Sequence, residues 1–174
     1  SRMVLDRVAP EEELSSEEER ATFFNGAFAV DEGAVFQGRP TISEDTKRWV
    51  LPNATPITVD GEKKAILHFE VNMNYFQRIL KRAINPDRGY GFIINDRGEF
   101  MTHTLMDISE TEPFPKAIAN GTPEGVKNIY QRIINGESGI EQFSLEGKDY
   151  YIIYRPISTV FRRGVNENIW SMGY

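Results

Sequence analysis

The sequence predicts an α+β protein built from two small antiparallel sheets, each with helices on one face. Three observations lead to this class. Residues 89–104 read GYGFIINDRGEFMTHT. There the apolar run Phe92, Ile93, Ile94 is closed by the turn formers Asn95-Asp96-Arg97-Gly98, and Phe100, Met101 and Thr102 resume β-favouring chemistry, so the segment is a β-hairpin. A polar connection, one helix and three strands follow in that order. Finally, Asn85-Pro86-Asp87-Arg88-Gly89 interrupts the chain between a helical pattern and this hairpin, which divides it into units of 1–85 and 86–174.

The elements of the first unit are justified in chain order. Met3, Leu5 and Val8 read as a strand over 2–8, followed by an acidic loop holding Pro10. Ser16 and Glu19 have the spacing of a helix capping box, and Glu17 and Glu18 sit where the positive end of the helix dipole favours them. Phe23, Phe24 and Ala27 give that helix an apolar stripe. Gly33, Gly38 and Pro40 punctuate a short segment around Val35 and Phe36. The extended run 48–59 contains Pro52 and Pro56, which predicts an edge or bulged strand, or two short ones. Asp60-Gly61 turns the chain into a strand over 64–71, with Ala65, Leu67, Phe69 and Val71 on one face and Ile66, His68 and Glu70 on the other. Tyr75, Phe76, Ile79, Leu80, Ala83 and Ile84 then repeat at helical spacing, with Asn72 or Asn74 as the cap.

In the second unit, Thr122-Pro123-Glu124 reads as a cap, a proline in the first helical position and an acid in the first turn. Val126, Ile129, Tyr130, Ile133 and Ile134 form the buried face of that helix, and Asn135-Gly136 ends it. Strands over 140–145 and 150–157 flank a turn at Glu146-Gly147, a longer loop passes through Arg162-Arg163-Gly164, and a last strand covers 169–174. The order ββαβββ is the PAS-like plan, an antiparallel sheet with its helical crossover on one face.

Composition narrows the range of functions. A net charge of -6 and no run of Lys and Arg beyond a pair argue against nucleic-acid binding, which needs a basic stripe. The absence of cysteine removes disulfides, thiolate nucleophiles and cysteine-bound zinc, and two histidines make a multi-histidine metal site improbable. No window approaches the roughly 18–20 apolar residues of a membrane span, and no leader pattern opens the chain. A soluble chain is expected, and its abrupt strand-like ends predict a domain excised from something longer.

The run Thr46-Lys47-Arg48-Trp49-Val50-Leu51-Pro52-Asn53-Ala54-Thr55-Pro56-Ile57, then Asp60-Gly61-Glu62, then Ala65-Ile66-Leu67-His68-Phe69-Glu70-Val71 resembles the extended strand, turn and "GVLGxDI" strand of Cache domains. Residues 89–104 resemble the opening of the membrane-proximal module of a double Cache domain, written "GYxFLIDxxGxIIAHP". The resemblance covers nearly the whole chain. It implies two PAS-like modules: 1–85 as the membrane-distal, ligand-binding one and 86–174 as the membrane-proximal one. The sequence starts after the position of the family's long N-terminal helix, so that helix is expected to be missing from it. It further implies an extracytoplasmic sensor, periplasmic or extracellular, from a transmembrane histidine kinase or chemoreceptor. Such a module binds rather than catalyses, and its membrane spans flank the chain instead of lying within it. Without the helix, the face of Ala65, Leu67, Phe69 and Val71 is expected to lack cover, which a partner chain, as in a homodimer, would supply.

The resemblance also nominates a distal ligand site. Glu70 stands where amino-acid-binding members place the aspartate that receives the ligand's amine. A carboxylate on a half-buried strand meets either a cationic ligand or a local Arg or Lys. His68, on the same face, is a pH-dependent ligand contact or a hydrogen-bonded wall residue. Arg20, Phe23 and Phe24 fall roughly where those members carry an Arg and two aromatics, with the spacing off by one. Arg20 is a carboxylate clamp or a solvated helix residue, and the two phenylalanines are pocket wall or core. Trp49 and Asn53 share a strand face and line the same pocket or pack an edge. Because the amino-acid motif is broken, the ligand stays open among amino acids, small carboxylates and amines, and neither a metal nor a cofactor is implied. In the second unit, Tyr90, His103, Tyr150, Tyr151 and Tyr154 surround a smaller pocket or fill a core. The rival readings are a cytosolic PAS-like interaction domain without a ligand, and a hydrolase using His68 and Glu70, for which no nucleophile or metal motif is present.

Overall fold

Among the described residues, every strand pairing except that of one pair is antiparallel. The structure, a computed structural model, describes residues 22–43, 46–108, 114–157, 164–166 and 169–174. The strand expected over 2–8, the capping box at Ser16 and Glu19, and Arg20 lie outside them. The first sheet contains β1 (Val35–Gln37), β2 (Thr41–Ile42), β3 (Trp49–Val59), β4 (Glu62–Asn72) and β9 (Gly164–Asn166). The second runs in the order β6 (Phe100–His103), β5 (Phe92–Asn95), β10 (Trp170–Gly173), β8 (Lys148–Ile157), β7 (Gly139–Leu145). Three helices complete the described residues: α1 (Thr22–Ala29), α2 (Asn74–Ala83) and α3 (Glu124–Ile134). The α+β class read from the sequence is the class observed.

The β3–β4 hairpin is the frame of the first sheet. Asp60 and Gly61 take φ of 53° and 81°, the paired positive values of a type I′ turn, whose twist matches that of the strands it joins. Pairing then runs from Val59↔Glu62 to Val50↔Asn72, with one irregularity at Ile57 and Thr58. Of the alternatives expected for this run, an edge strand, a bulged strand or two short ones, β3 is one continuous inner strand with a bulge or irregularity at Ile57 and Thr58. Gly38 N–H donates to the Pro52 carbonyl at 3.0 Å, so the backbone polar groups of Pro52 face β1 and β2, away from β4. Strand period places those of Pro56 on the same side. There the neighbouring strands are short, pairing with β3 only at Trp49, Val50, Asn53 and Ala54. Both missing N–H groups therefore fall in gaps, and the β4 ladder stays whole.

Helix α2 follows at once because Asn72 Oδ1 accepts from the Asn74 N–H at 2.9 Å, covering one of the orphan donors of the first turn. Lys81 and Arg82 occupy its last turn, where cations suit the dipole. At α3 the expected cap is displaced by one residue. Pro123 is itself the cap position, its carbonyl accepting from Lys127, and the Thr122 hydroxyl turns back to accept from Ala119 N–H. Ile129 and Ile133 of α3 pack on Phe92, Ile94, Phe100, Ile152 and Tyr154 to make the core of the second unit.

The expected loop through Arg162, Arg163 and Gly164 contains a strand. Val35↔Gly164 and Gln37↔Asn166 pair β9 in parallel with β1, so a piece of the later chain completes the first sheet. The sheets are also joined by packing. Leu51 and Met73 meet Met101, Phe114 and Trp170 in one apolar cluster, with the Trp49 ring tilted against Phe114 at 4.0 Å between centroids. Beside it, Arg39 donates two parallel hydrogen bonds to Asp96, at 2.9 and 3.0 Å. That guanidinium holds the Asp96 carboxyl below the usual carboxylate range.

Candidate functional site

Register decides which of the nominated residues meet. Directly opposed residues of an antiparallel pair project to one face, and Ala54↔His68 and Pro52↔Glu70 put His68 and Glu70 on the face that α1 covers. Helix α1 seats there through Gly26, whose missing side chain lets the Phe36 ring approach; an added Cβ would lie 2.4 Å from that ring. Phe36 opposes Ala54, so the same face carries Phe36, Ala54 and His68. Phe23 then lies flat on the His68 imidazole, with ring centroids 3.8 Å apart and planes within 2°. Phe24 points along its own helix and packs on Phe28 at 5.1 Å. Glu70 is exposed and forms no ion pair among the described residues. The half-buried carboxylate expected from the strand pattern is thus not found.

Trp49 and Asn53 lie on the opposite face. Asn53 opposes Phe69, and its amide is used within the sheet: Nδ2 donates to the Leu51 carbonyl at 2.9 Å, and Oδ1 accepts from Gln37 at 2.8 Å. Trp49 belongs to the cluster joining the sheets. On this face Leu67 and Phe69 are 44% and 48% exposed, as expected of an uncovered surface, while Val71 is packed into the joint.

A second concavity lies in the later unit. A cavity of 430 Å³ opens between α3 and the second sheet, lined by Tyr90, Phe92, Ile129, Tyr130, Phe143 and Tyr150 among others. Burial, reinforced by the neighbouring Tyr90, pushes the Tyr130 phenol up to about 12. Burial and then Tyr150 raise Tyr90 in the same sense. Both remain protonated near neutrality and present hydroxyl donors. Of the aromatics nominated from sequence, Tyr90, Tyr150 and Tyr151 line this cavity. Tyr154 is core, its hydroxyl donating to Glu141 at 2.5 Å. Tyr130 escaped notice as a cavity residue because helical period marks it only as buried; its spacing from Val126 by one turn was the available signal.

His103 sits behind Tyr90, ring to ring at 5.3 Å, with Nδ1 accepting from Leu105 N–H at 3.1 Å. Burial lowers its pKa from the ordinary value of 6.5, so the folded protein holds the neutral imidazole and binds fewer protons than the unfolded chain just below that pH. The stability due to this group is complete above 6.5 and declines as pH falls through the window beneath it. Urea titrations between about pH 8 and pH 5 should show this decline in the wild type and a shallower one in His103→Gln; identical slopes would contradict it.

The described residues build two mainly antiparallel sheets with three flanking helices. No protein-family model and no curated protein matches the sequence. Solved structures do match in fold. The ligand-binding domain of the amino acid chemoreceptor PctC of Pseudomonas aeruginosa PAO1, in complex with GABA, aligns over 96% of this chain and 64% of its own, with TM-score 0.55 and 15% identity. That of the Pseudomonas fluorescens chemoreceptor CtaA with L-leucine aligns over 89% of this chain and 57% of its own (TM-score 0.53, 14% identity). The periplasmic sensory domain of the Campylobacter jejuni chemoreceptor Tlp1 aligns over 90% and 55% (TM-score 0.60, 15% identity). The chain thus spans less than two thirds of the length of these domains. No helix among the described residues is long and apolar enough to cross a membrane.

Proposed function

We propose that this chain is the extracytoplasmic small-molecule-sensing region of a transmembrane receptor of chemoreceptor or histidine-kinase type, a binding module rather than a catalyst. The observation that carries this reading is the alignment of 96% of the chain with a domain solved around a bound small ligand. The proposed distal module is 1–85 and the proximal one 86–174, with β9 crossing into the first sheet. The distal site is built on the α1-covered face: His68 and Phe23 form its wall, Glu70 at its open end meets an amine, and Phe24 of α1 and Arg20, which precedes α1 in sequence, join them. Trp49 and Asn53 support it from behind the sheet. The ligand is an amino acid, a small carboxylate or an amine. Occupancy shifts the equilibrium between two arrangements of the sheets, and hence of the elements leading to the membrane.

Thermal-shift screening against amino acids, organic acids, amines and purines tests the reading. A ligand at a hundredfold excess over its Kd should raise Tm by about 5–10 °C. For a cationic hit, Glu70→Ala should weaken binding about tenfold or more. A panel in which nothing stabilises the chain would favour an interaction domain instead, and a hit indifferent to Glu70→Ala would remove that residue from the site.

A further inference from the structure

We propose that the cavity between α3 and the second sheet is a second ligand site, separate from the distal one, that takes a small monocarboxylate with an apolar body. Its volume of 430 Å³ lies within the range of about 300–1,000 Å³ usual for small-molecule pockets. Phe92, Ile129, Phe143 and Ile152 supply apolar wall to a hydrocarbon or aromatic portion. The polar groups specify the rest. In a packed core a buried phenol finds a partner, and Tyr154 of this same core does so on Glu141. Tyr90, Tyr130 and Tyr150 line the void and are each only partly buried, and none of their hydroxyls is buried without a partner. Three hydroxyls on one void offer hydrogen bonds to an acceptor that displaces water from it.

The charges at the cavity select its sign. Arg88 lines it, is exposed, and forms no ion pair among the described residues. Asp149, the carboxylate that also lines it, already accepts from the Ser144 hydroxyl. Arg88 offers a planar cation suited to a carboxylate's two oxygens, and one oxygen of Asp149 is taken by the Ser144 hydroxyl. A ligand ammonium would meet the like charge of Arg88.

Calorimetric titration of the chain with benzoate, hexanoate and their neutral amides, benzamide and hexanamide, tests the assignment. The carboxylates are expected to bind, each about tenfold or more tighter than its amide. Arg88→Gln should bring carboxylate affinity down to that of the amide. Val126→Trp, which grows into the void from α3, should abolish binding while circular dichroism stays native. Should that variant unfold, the double variant Tyr130→Phe and Tyr150→Phe keeps every ring, removes only donors, and should still weaken benzoate. The proposal is overturned if neither carboxylate binds, if the amides bind equally well, or if binding survives both the cavity-filling and the phenylalanine variants. Loss of benzoate binding in His68→Ala with retention in Val126→Trp would place the probe at the distal site instead, which sinks this inference and leaves the sensing function standing.

Discussion

Phe92→Ala should destabilise the protein by about 3–5 kcal/mol, the range for truncating a buried phenylalanine. Its ring is 1% exposed and is held from several sides: Phe100 edge-on at 5.6 Å, Tyr130 at 5.7 Å, His103 at 6.1 Å. Truncation removes those contacts and leaves a void that α3 and the sheet cannot close without separating from their other neighbours. A second substitution checks the mechanism. Gly173 faces the same ring from β10, where an added Cβ would lie 2.2 Å from it, so Gly173→Ala should cost about 1–3 kcal/mol by overpacking. In the Phe92→Ala background that clash has no partner, and Gly173→Ala should become nearly neutral. Additive losses in a guanidinium double-mutant cycle would show that the strain lies elsewhere.

Leu51→Ala should cost about 2–5 kcal/mol, with a consequence of a different kind. Leu51 is 2% exposed in the cluster shared by the two sheets, where it packs with Met73 of the first unit and Met101, Phe114 and Trp170 of the second. A void there loosens one sheet from the other before either loses its own core. The Arg39–Asp96 pair nearby is partly exposed and contributes only about 1 kcal/mol or less, so it cannot hold the joint by itself. Amide exchange should therefore rise first at β3 and β5, ahead of β8. Uniform acceleration across the chain would mean that the two sheets unfold as one body.

Much of the second unit was legible in sequence because its signals are local. The turn Asn95-Asp96-Arg97-Gly98, the helical spacing of Ile129 and Ile133, and the Glu146-Gly147 turn each specify an element within a few residues. The strands β1, β2 and β9 carry no such signal, since two or three residues are too few to show a period and exist as strands only through their partners. Pro52 and Pro56 left β3 open between an edge strand, a bulged strand and two short ones for a related reason. Proline forbids a donor at one position, but only the placement of β1 and β2 shows that no acceptor was waiting there.

The candidate sites divide along the same line. Alternation in β4 correctly separates His68 and Glu70 from Leu67 and Phe69, because strand period is a property of the backbone. Whether Trp49 and Asn53 join His68 depends on the register Asn53↔Phe69, and whether Glu70 is covered depends on what packs over its strand. Neither is written in a window of neighbouring residues. The sequence by itself determined the α+β class, the order of the longer elements, the inward face of α3 and the two-faced alternation of β4, since propensity, turn chemistry and periodicity act over a few residues. Only the tertiary structure decided that Phe23 stacks on His68, that Trp49 and Asn53 turn to the other side, and that Tyr90, Tyr130 and Tyr150 converge on one cavity. Those arrangements follow from packing between segments far apart in the chain, where shape and register, not local preference, set which side chains meet.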